Sequence, residues 1–525
     1  MNFIDQLIMH LPALIVAVPL LGAFLTPLID KINDKVRNGF VIAILGLTLF
    51  FVLLLSSTVF SGDPVTYVFG SETAYVSNYT VIRILFEIDA LSAFMAIITT
   101  LLAFVSVIYS WSYMKDNTGL GKYYTLVLLL TAGMLGMVCT GDMFNFFVFL
   151  EITSIASCAL IAFWTNKAKS VEAGFKYIVI STIGALFVLL SVALLYGQYN
   201  ALNIAKLADS ITFSFLDKIA LVLLLAALAM KAGIVPMHMW LPDAYGKAPA
   251  TVSLILVGAT QASLYGVFRV SFTLYGNVIS LPTISIGWIM VILGLITILI
   301  GVIMALIQTD LKRLIGYGAV AEIGYMVLGV GTGLTVLTNP DLTLSTAPFA
   351  LNAIKGGIFH IFNDALDVGL LFMVAGALYY ATKQTDLNKL GGLARNMKYT
   401  TVFFLIGLLA IAGIPPMNGF ASKLLIYEST YQLNPILSII AILASILLLA
   451  IFVKVFQAAF LGPKLPQFEQ VKEVPKSMLL AMGIIAALII FFGLFPDYVI
   501  NTIVEPAANA LVDTNGYLSW LTGGV

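Results

Sequence analysis

The sequence predicts an all-α polytopic membrane protein of about fourteen transmembrane helices, and three observations predict it. Of its 525 residues, 61% are hydrophobic and 10% charged, against about 25% charged in a soluble globular chain. Apolar runs of about 20 residues, each enough to cross a bilayer as a helix, recur from end to end. The loops between them alternate between rich and poor in Lys and Arg, as loops on the two sides of a membrane do. The formal net charge is zero, 26 Lys+Arg against 26 Asp+Glu. A basic surface for nucleic acid is therefore excluded, and the charges speak through their positions.

The elements follow in order. The first apolar run, from about 11 to 28, lacks a basic leader and a small-residue cleavage site, so it is expected to be a retained span. The basic loop 29–37 separates it from the second, which begins near 38. The third begins near 88 and is followed by loop 112–122; the fourth, fifth and sixth begin near 122, 142 and 172, with loop 165–176 before the last of these. The seventh and eighth, near 217 and 250, flank loop 241–249, and the ninth and tenth, near 284 and 313, flank loop 309–313. The eleventh and twelfth, near 348 and 400, flank loop 382–398, and the last two, near 436 and 477, flank loop 462–476. Those seven loops hold 18 of the 26 Lys+Arg; the opposite loops hold Arg83, Lys206 and Lys218, and Lys231, Arg269, Lys355, Lys423 and Lys454 fall within spans. Basic loops stay cytoplasmic, so both termini are expected outside, in a cell inner or plasma membrane.

An internal echo marks two spans as broken. "AGIVPM" at 232–237 in the seventh span returns as "AGIPPM" at 412–417 in the twelfth, 180 residues later. The two spans run in opposite directions, which is the signature of an inverted-topology repeat whose interrupted helices flank a site. Lys231 precedes its proline by five residues and Lys423 follows its own by seven. With orientations reversed, both lysines point toward the middle of the membrane.

An ionisable side chain at that depth costs roughly 2.5 kcal/mol or more and calls for a function or a partner. Glu151 lies ten residues into the fifth span, about 15 Å along its axis, where a short carboxylate cannot reach the interface. Lys231 is equally central, and Glu151 is its expected partner. Glu322, nine residues into the tenth span, and Lys423 form a second expected pair. In the eleventh span, "KGGIFHIFNDALDVGLLF" carries Lys355, His360, Asp364 and Asp367. The last three share a face at i, i+4, i+7, which must line protein or water. Histidine suits proton passage because it gains and loses protons near neutrality. His238, just past Pro236, is a candidate at the cytoplasmic mouth of the seventh span. Arg269 and Lys454, nearer helix ends, are expected to snorkel; Asp89 and Asp142 begin spans, where a helix cap or first turn explains an acid as well as a function does. Where a buried lysine faces a carboxylate, the position of that carboxylate sets how tightly the lysine holds its proton. Cys139 and Cys158 lack CxxC or Cys/His spacing and are expected to be structural thiols, with no cofactor held by this chain.

"GDMFNFFVFLEI" (141–152), "MKAGIVPMHMWLPDAYGKAPATVS" (230–253), "DLKRLIGYGAVAEIGY" (310–325) and "LLAIAGIPPMNGFASKLL" (408–425) resemble the antiporter-like subunits of respiratory complex I and of Mrp-type sodium/proton antiporters. The resemblance spans nearly the whole chain. It implies two inverted five-helix repeats, helices 4–8 (residues 122–275) and 9–13 (276–461), preceded by helices 1–3 (1–121) and followed by helix 14 and an outer tail (462–525). It implies broken helices 7 and 12, and it carries proton translocation onto Glu151, Lys231, His360 and Lys423, to which depth and position in the chain add Glu322 and His238 as candidates. Lysine at 423 resembles the Mrp D-type subunit and its counterparts in archaeal membrane-bound hydrogenase and sulfur-reducing complexes.

Two departures stand out: Gln261 occupies an eighth-span position where many members have lysine, and Asp364 and Val368 replace a histidine and a lysine of the eleventh. Asp364 and Asp367 are therefore candidate oxygen ligands for sodium, a hard cation, as a transported ion. The expected partners are other membrane subunits and a peripheral iron–sulfur or hydrogenase-like redox module. Redox chemistry in this chain itself is not expected, since it has neither cysteine clusters nor a Gly-rich nucleotide loop. Two other classes fit less well: an autonomous transporter of an organic solute, which would need more substrate-binding groups at the midplane, and a structural subunit with an inactive channel.

Overall fold

The computed structural model describes residues 3–62, 64–69, 84–276, 284–338, 347–463 and 465–519; Arg83 and the end of the tail, 520–525, lie outside them. The chain runs through α1 (Phe3–Ile29), α2 (Asp34–Ser61), β1 (Val65–Val68), β2 (Leu85–Ile88), α3 (Ala90–Tyr113), α4 (Leu120–Cys139), α5 (Met143–Ile161) and α6 (Ala168–Tyr199). A short α7 (Ile204–Ser210) precedes the broken seventh span, made of α8 (Phe215–Ala232), a 3₁₀ turn (Met237–Met239) and α9 (Trp240–Lys247). Next come α10 (Ala250–Arg269), α11 (Ile284–Leu306), α12 (Leu311–Leu337) and α13 (Phe349–Thr382). The broken twelfth span is α14 (Lys398–Ile411) with α15 (Asn418–Leu433), and α16 (Pro435–Phe456) and α17 (Lys476–Leu494) follow. Short helices α18 (Pro496–Val499), α19 (Glu505–Val512) and α20 (Thr514–Ser519) close the described chain on the face opposite the basic loops.

Among the described residues, 13 helices are long and apolar enough to cross a membrane, and α14 with α15 makes a fourteenth crossing. Each begins with a backbone N–H group short of an acceptor, and Asn33, Asp89, Asp142, Ser214, Asp310 and Asn434 supply one. Asp89 and Asp142 thus cap helices. One element was not expected: β1 and β2 pair antiparallel, Val65 opposite Ile88. Four residues a strand give too short a pattern to stand out beside 20-residue apolar runs. β2 survives because it is buried and because Gly141, just before α5, donates its N–H to Leu85 C=O at 3.0 Å.

The outer helices expose apolar side chains such as Leu186 and Leu443 to lipid, whereas α10, α12 and α13 are buried nearly all round. Polar residues collect on these three, where protein rather than hydrocarbon can satisfy them.

The two breaks share one geometry. Gly233 and Gly413 stand at φ +80° and +69°, each followed by a cis X–Pro bond, Val235–Pro236 and Pro415–Pro416. Three backbone hydrogen bonds repeat: Gly233 N–H to Met230 C=O and Gly413 N–H to Ala410, Ile234 to Ala229 and Ile414 to Leu409, Met237 to Ile234 and Met417 to Ile414. A second echo was not visible in the sequence. Met143 N–H bonds Leu202 C=O and Ile204 N–H bonds Gly141 C=O; at the other face Leu311 bonds Thr385 and Leu387 bonds Thr309 in the same exchange. Each exchange ties the start of a span, α5 or α12, to the loop before a broken span.

Candidate functional site

The buried charges of the second half meet at one point. Lys423 Nζ, on α15, donates to Glu322 Oε1 at 2.9 Å and to Ile411 C=O at 2.7 Å. That carbonyl ends α14 and lost its helical partner to the break, so the lysine caps the defect as well as pairing the carboxylate. The other carboxylate oxygen, Oε2, lies 2.7 Å from His360 Nε2, and His360 Nδ1 lies 2.9 Å from Ser422 Oγ. An ionised Glu322 has nothing to donate, so the bond between them is made by a proton on His360 Nε2. Tyr325 presents its ring to Lys423 Nζ at 4.6 Å. Glu322, His360 and Lys423 are each at most 1% exposed. The expected Glu322–Lys423 pair is present, with His360 as its third member.

The first half differs from expectation. Lys231 Nζ donates to Ser154 Oγ at 2.5 Å and Ser181 Oγ at 2.9 Å, and it pairs with no carboxylate. Glu151 Oε1 is buried without a hydrogen-bond partner. The reason is helical: Glu151 and Ser154 are neighbours on α5, and the hydroxyl stands where the carboxylate was expected. Lys231 also borders a small cavity of about 20 Å³, lined with Ser154, Ser181, Thr260 and Ser263, which is room for about one water.

His238 lies in the 3₁₀ turn beyond the break, off the helix that carries Lys231. His238 is 6% exposed and its Nδ1 has no partner.

α10 joins the halves. Thr260 exchanges a hydrogen bond with Tyr245 at 2.8 Å, and Gln261 Nε2 donates to Asp364 Oδ2 at 2.8 Å and Ile361 C=O at 3.0 Å. The position where a lysine was expected to be missing is therefore bridged by an amide to the acid that replaces a histidine. Asp364 stands one turn from His360 on α13. Four buried oxygens in this region have no donor: Gln261 Oε1, Asp364 Oδ1, Asp367 Oδ1 and Asn418 Oδ1. Among the described residues no group of three or more His, Cys, Asp or Glu is placed to hold a metal ion.

Three further basic groups find partners distant in the chain. Lys312, on α12, is 4% exposed and donates to Ala248 C=O at the end of α9; it was counted as a loop charge because it sits beside Arg313 in a basic run. Arg269 does not snorkel. It is 3% exposed and pairs with Asp89 at 2.7 Å, since the neighbouring acid at the start of α3 gives it a closer partner than water. Lys355 pairs with Glu505 of α19 at 2.7 Å, a contact made across 150 residues of chain that no local pattern announces.

Residues 140–449 match the family described as "NADH:quinone oxidoreductase/Mrp antiporter, TM", and residues 75–124 match "NADH-Ubiquinone oxidoreductase (complex I), chain 5 N-terminus". The chain is 32% identical over 522 residues to NADH-quinone oxidoreductase subunit N of Desulforudis audaxviator, covering 95% of this chain and 98% of that one. It superposes with a TM-score of 0.84 on a chain of the Mrp complex from Dietzia sp. DQ12-45-1b, at 25% identity, covering 98% of this chain and 100% of that one. A chain of the archaeal membrane-bound sulfane sulfur reductase gives the same score at 26% identity, covering 97% of this chain and 99% of that one. The fold, the broken helices and these matches agree, and the chain belongs to the NADH:quinone oxidoreductase/Mrp antiporter transmembrane family.

Proposed function

We propose that this chain translocates protons, alone or in exchange for sodium, as one membrane subunit of a larger complex. The observation that carries the reading is the buried run of titratable and polar groups from Lys423 through Glu322 and His360 to Asp364 and Gln261. α10 then brings this run to the Lys231 cavity through Thr260. Lys231 is the switch in the first repeat, residues 122–275. With Glu151 swung toward it the lysine holds a proton; resting on two serine hydroxyls it can release one. His238, in the break toward the basic face, relays between Lys231 and water on that side. In the second repeat, 276–461, Lys423, Glu322 and His360 form the matching unit. The basic loops face the cytoplasm and both termini lie outside.

Asp364 and Asp367 make sodium the natural second ion, because unpartnered carboxylate and amide oxygens suit a hard cation. Changing both to asparagine is expected to remove any sodium dependence of transport; unchanged dependence would leave the proton as the ion carried. The membrane complexes in which the related chains occur suggest partners of the same kinds, further membrane subunits with or without a redox module.

The decisive experiment is transport by sealed vesicles holding the assembled complex with Lys231→Ala. Transport is expected to vanish while the complex still assembles, and normal transport would refute the reading.

A further inference from the structure

The face opposite the basic loops holds a second buried charge cluster that the proposed path does not use, at the corner where β2 runs into α3. Arg269 anchors it. Its guanidinium donates to Asp89 Oδ1 at 2.7 Å, to Tyr265 at 3.2 Å and to Thr273 at 3.3 Å. Every one of these bonds goes elsewhere than Glu87, two residues before Asp89. Glu87 is 2% exposed, and neither of its carboxylate oxygens has a hydrogen-bond partner; Asp89 Oδ2 also lacks one. Two buried carboxylates thus stand beside one cation, and the closer one takes its charge.

A buried carboxylate that makes no close hydrogen bond and shares its nearest cation with a second acid is costly for a fold to hold. A bound proton removes that cost. We propose that Glu87 is a proton-binding site on this face, passing protons between the buried groups of the bundle and the water beyond, with Arg269, which it shares with Asp89, as the nearby cation. The inference rests on the reading that the chain moves protons.

The surroundings fit the role. Gly141 leaves room for the carboxyl group, since a Cβ there would come within 2.9 Å of Glu87 Oε2. Tyr517, on α20, covers the other side with its ring centroid 4.9 Å from the Arg269 guanidinium, so a six-residue helix separates the cluster from water. The groups facing Glu87 are Asp89, Arg269 and Tyr517, with Tyr265 beyond the arginine. Cys139, at the end of α4, borders the cluster beside Asp89. Burial pushes Glu87 up to about 8, with Tyr517 and Arg269 pulling it down and Asp89 adding to the rise. Such a group exchanges protons near neutrality. Arg269 and Gln261 lie eight residues apart on α10, about 12 Å, so one helix carries both the counter-charge and the bridge at the centre.

The test uses the assembled complex in sealed vesicles with the pH on each face set independently. The parent is expected to show a transport midpoint near pH 8 on the Glu87 face. Glu87→Gln is expected to erase that midpoint and leave the profile on the basic face unchanged. Glu87→Asp, which keeps a carboxyl on a shorter stem, is expected to transport with a shifted midpoint; it carries the test should the glutamine variant fail to assemble. A parent-like profile in Glu87→Gln, or an unmoved midpoint in Glu87→Asp, overturns the proposal. Lys231→Ala separates the two claims: normal transport by it refutes proton movement through this chain, whereas its silence together with a parent-like Glu87→Gln refutes the Glu87 site alone.

Discussion

Each buried charge in this chain is answered differently, and the difference sets what it can do. Glu322 has two partners on two other helices, so it is held in place; Glu151 has a buried oxygen with no partner, so no such contact holds it. Removing one partner of a buried pair strands the other's charge. Lys423→Met is therefore expected to cost about 3–5 kcal/mol of stability, and adding Glu322→Gln to recover much of that loss. Denaturation of the two variants in detergent checks this, and equal destabilisation would mean that Glu322 finds its counter-charge elsewhere. Depth in the membrane was enough to pick out Glu151, Lys231, Glu322, His360 and Lys423 from the sequence. Their partners were not legible, because serines are too common in apolar helices for Ser154 or Ser181 to announce themselves. Glu87 was invisible for a related reason: its carboxyl is stranded by the company Arg269 keeps 182 positions away in the chain.

At the scale of the element, the broken helices decide the site. Each break frees carbonyls, and each is closed by a side chain: Trp240 Nε1 donates to Met230 C=O at 2.9 Å, and Lys423 Nζ to Ile411 C=O. Gly233 and Gly413 take a left-handed conformation that costs other residues about 1–2 kcal/mol, so alanine at either position is expected to lower stability by that order. The consequences then diverge. A Cβ at 413 would come 3.0 Å from Lys423 Cδ, whereas one at 233 would strike Leu241 Cδ1 at 2.5 Å. Gly413→Ala is expected to weaken transport beyond its effect on stability, by displacing the lysine, and Gly233→Ala to act chiefly on stability. Comparing transport per assembled complex with the thermal midpoint of each variant separates the two. The echo "AGIVPM"/"AGIPPM" exposed both breaks in the sequence. The equivalent backbone exchanges at Asp142 and Asp310 left no trace there, since any residues can exchange backbone bonds.

At the scale of the whole molecule, the halves communicate through α10 and α13. Both are buried nearly all round, so their polar residues have only protein and trapped water to bond. Gln261 spends both amide protons on the second half, on Asp364 and Ile361. Gln261→Leu would strand the Asp364 carboxyl at a cost of about 1–3 kcal/mol, enough for a tenfold effect. Transport is expected to fall about tenfold or more while the complex still assembles. Transport at the parent rate would show that the halves work without this bridge.

The sequence alone pointed to the run of apolar spans, the two breaks and the mid-span positions of the central charges. These follow from hydrophobicity, loop charge and helical rise, which act along the chain and need no neighbour. Only the tertiary structure decided which charges pair: Lys423 with Glu322 and His360, Lys231 with two serines, Arg269 with Asp89, and Glu87 left without a salt bridge. Pairing is set by the rotation and register of helices that are distant in sequence. In a bundle whose surface is uniformly apolar, the pattern along one helix cannot say which polar face of another it will meet.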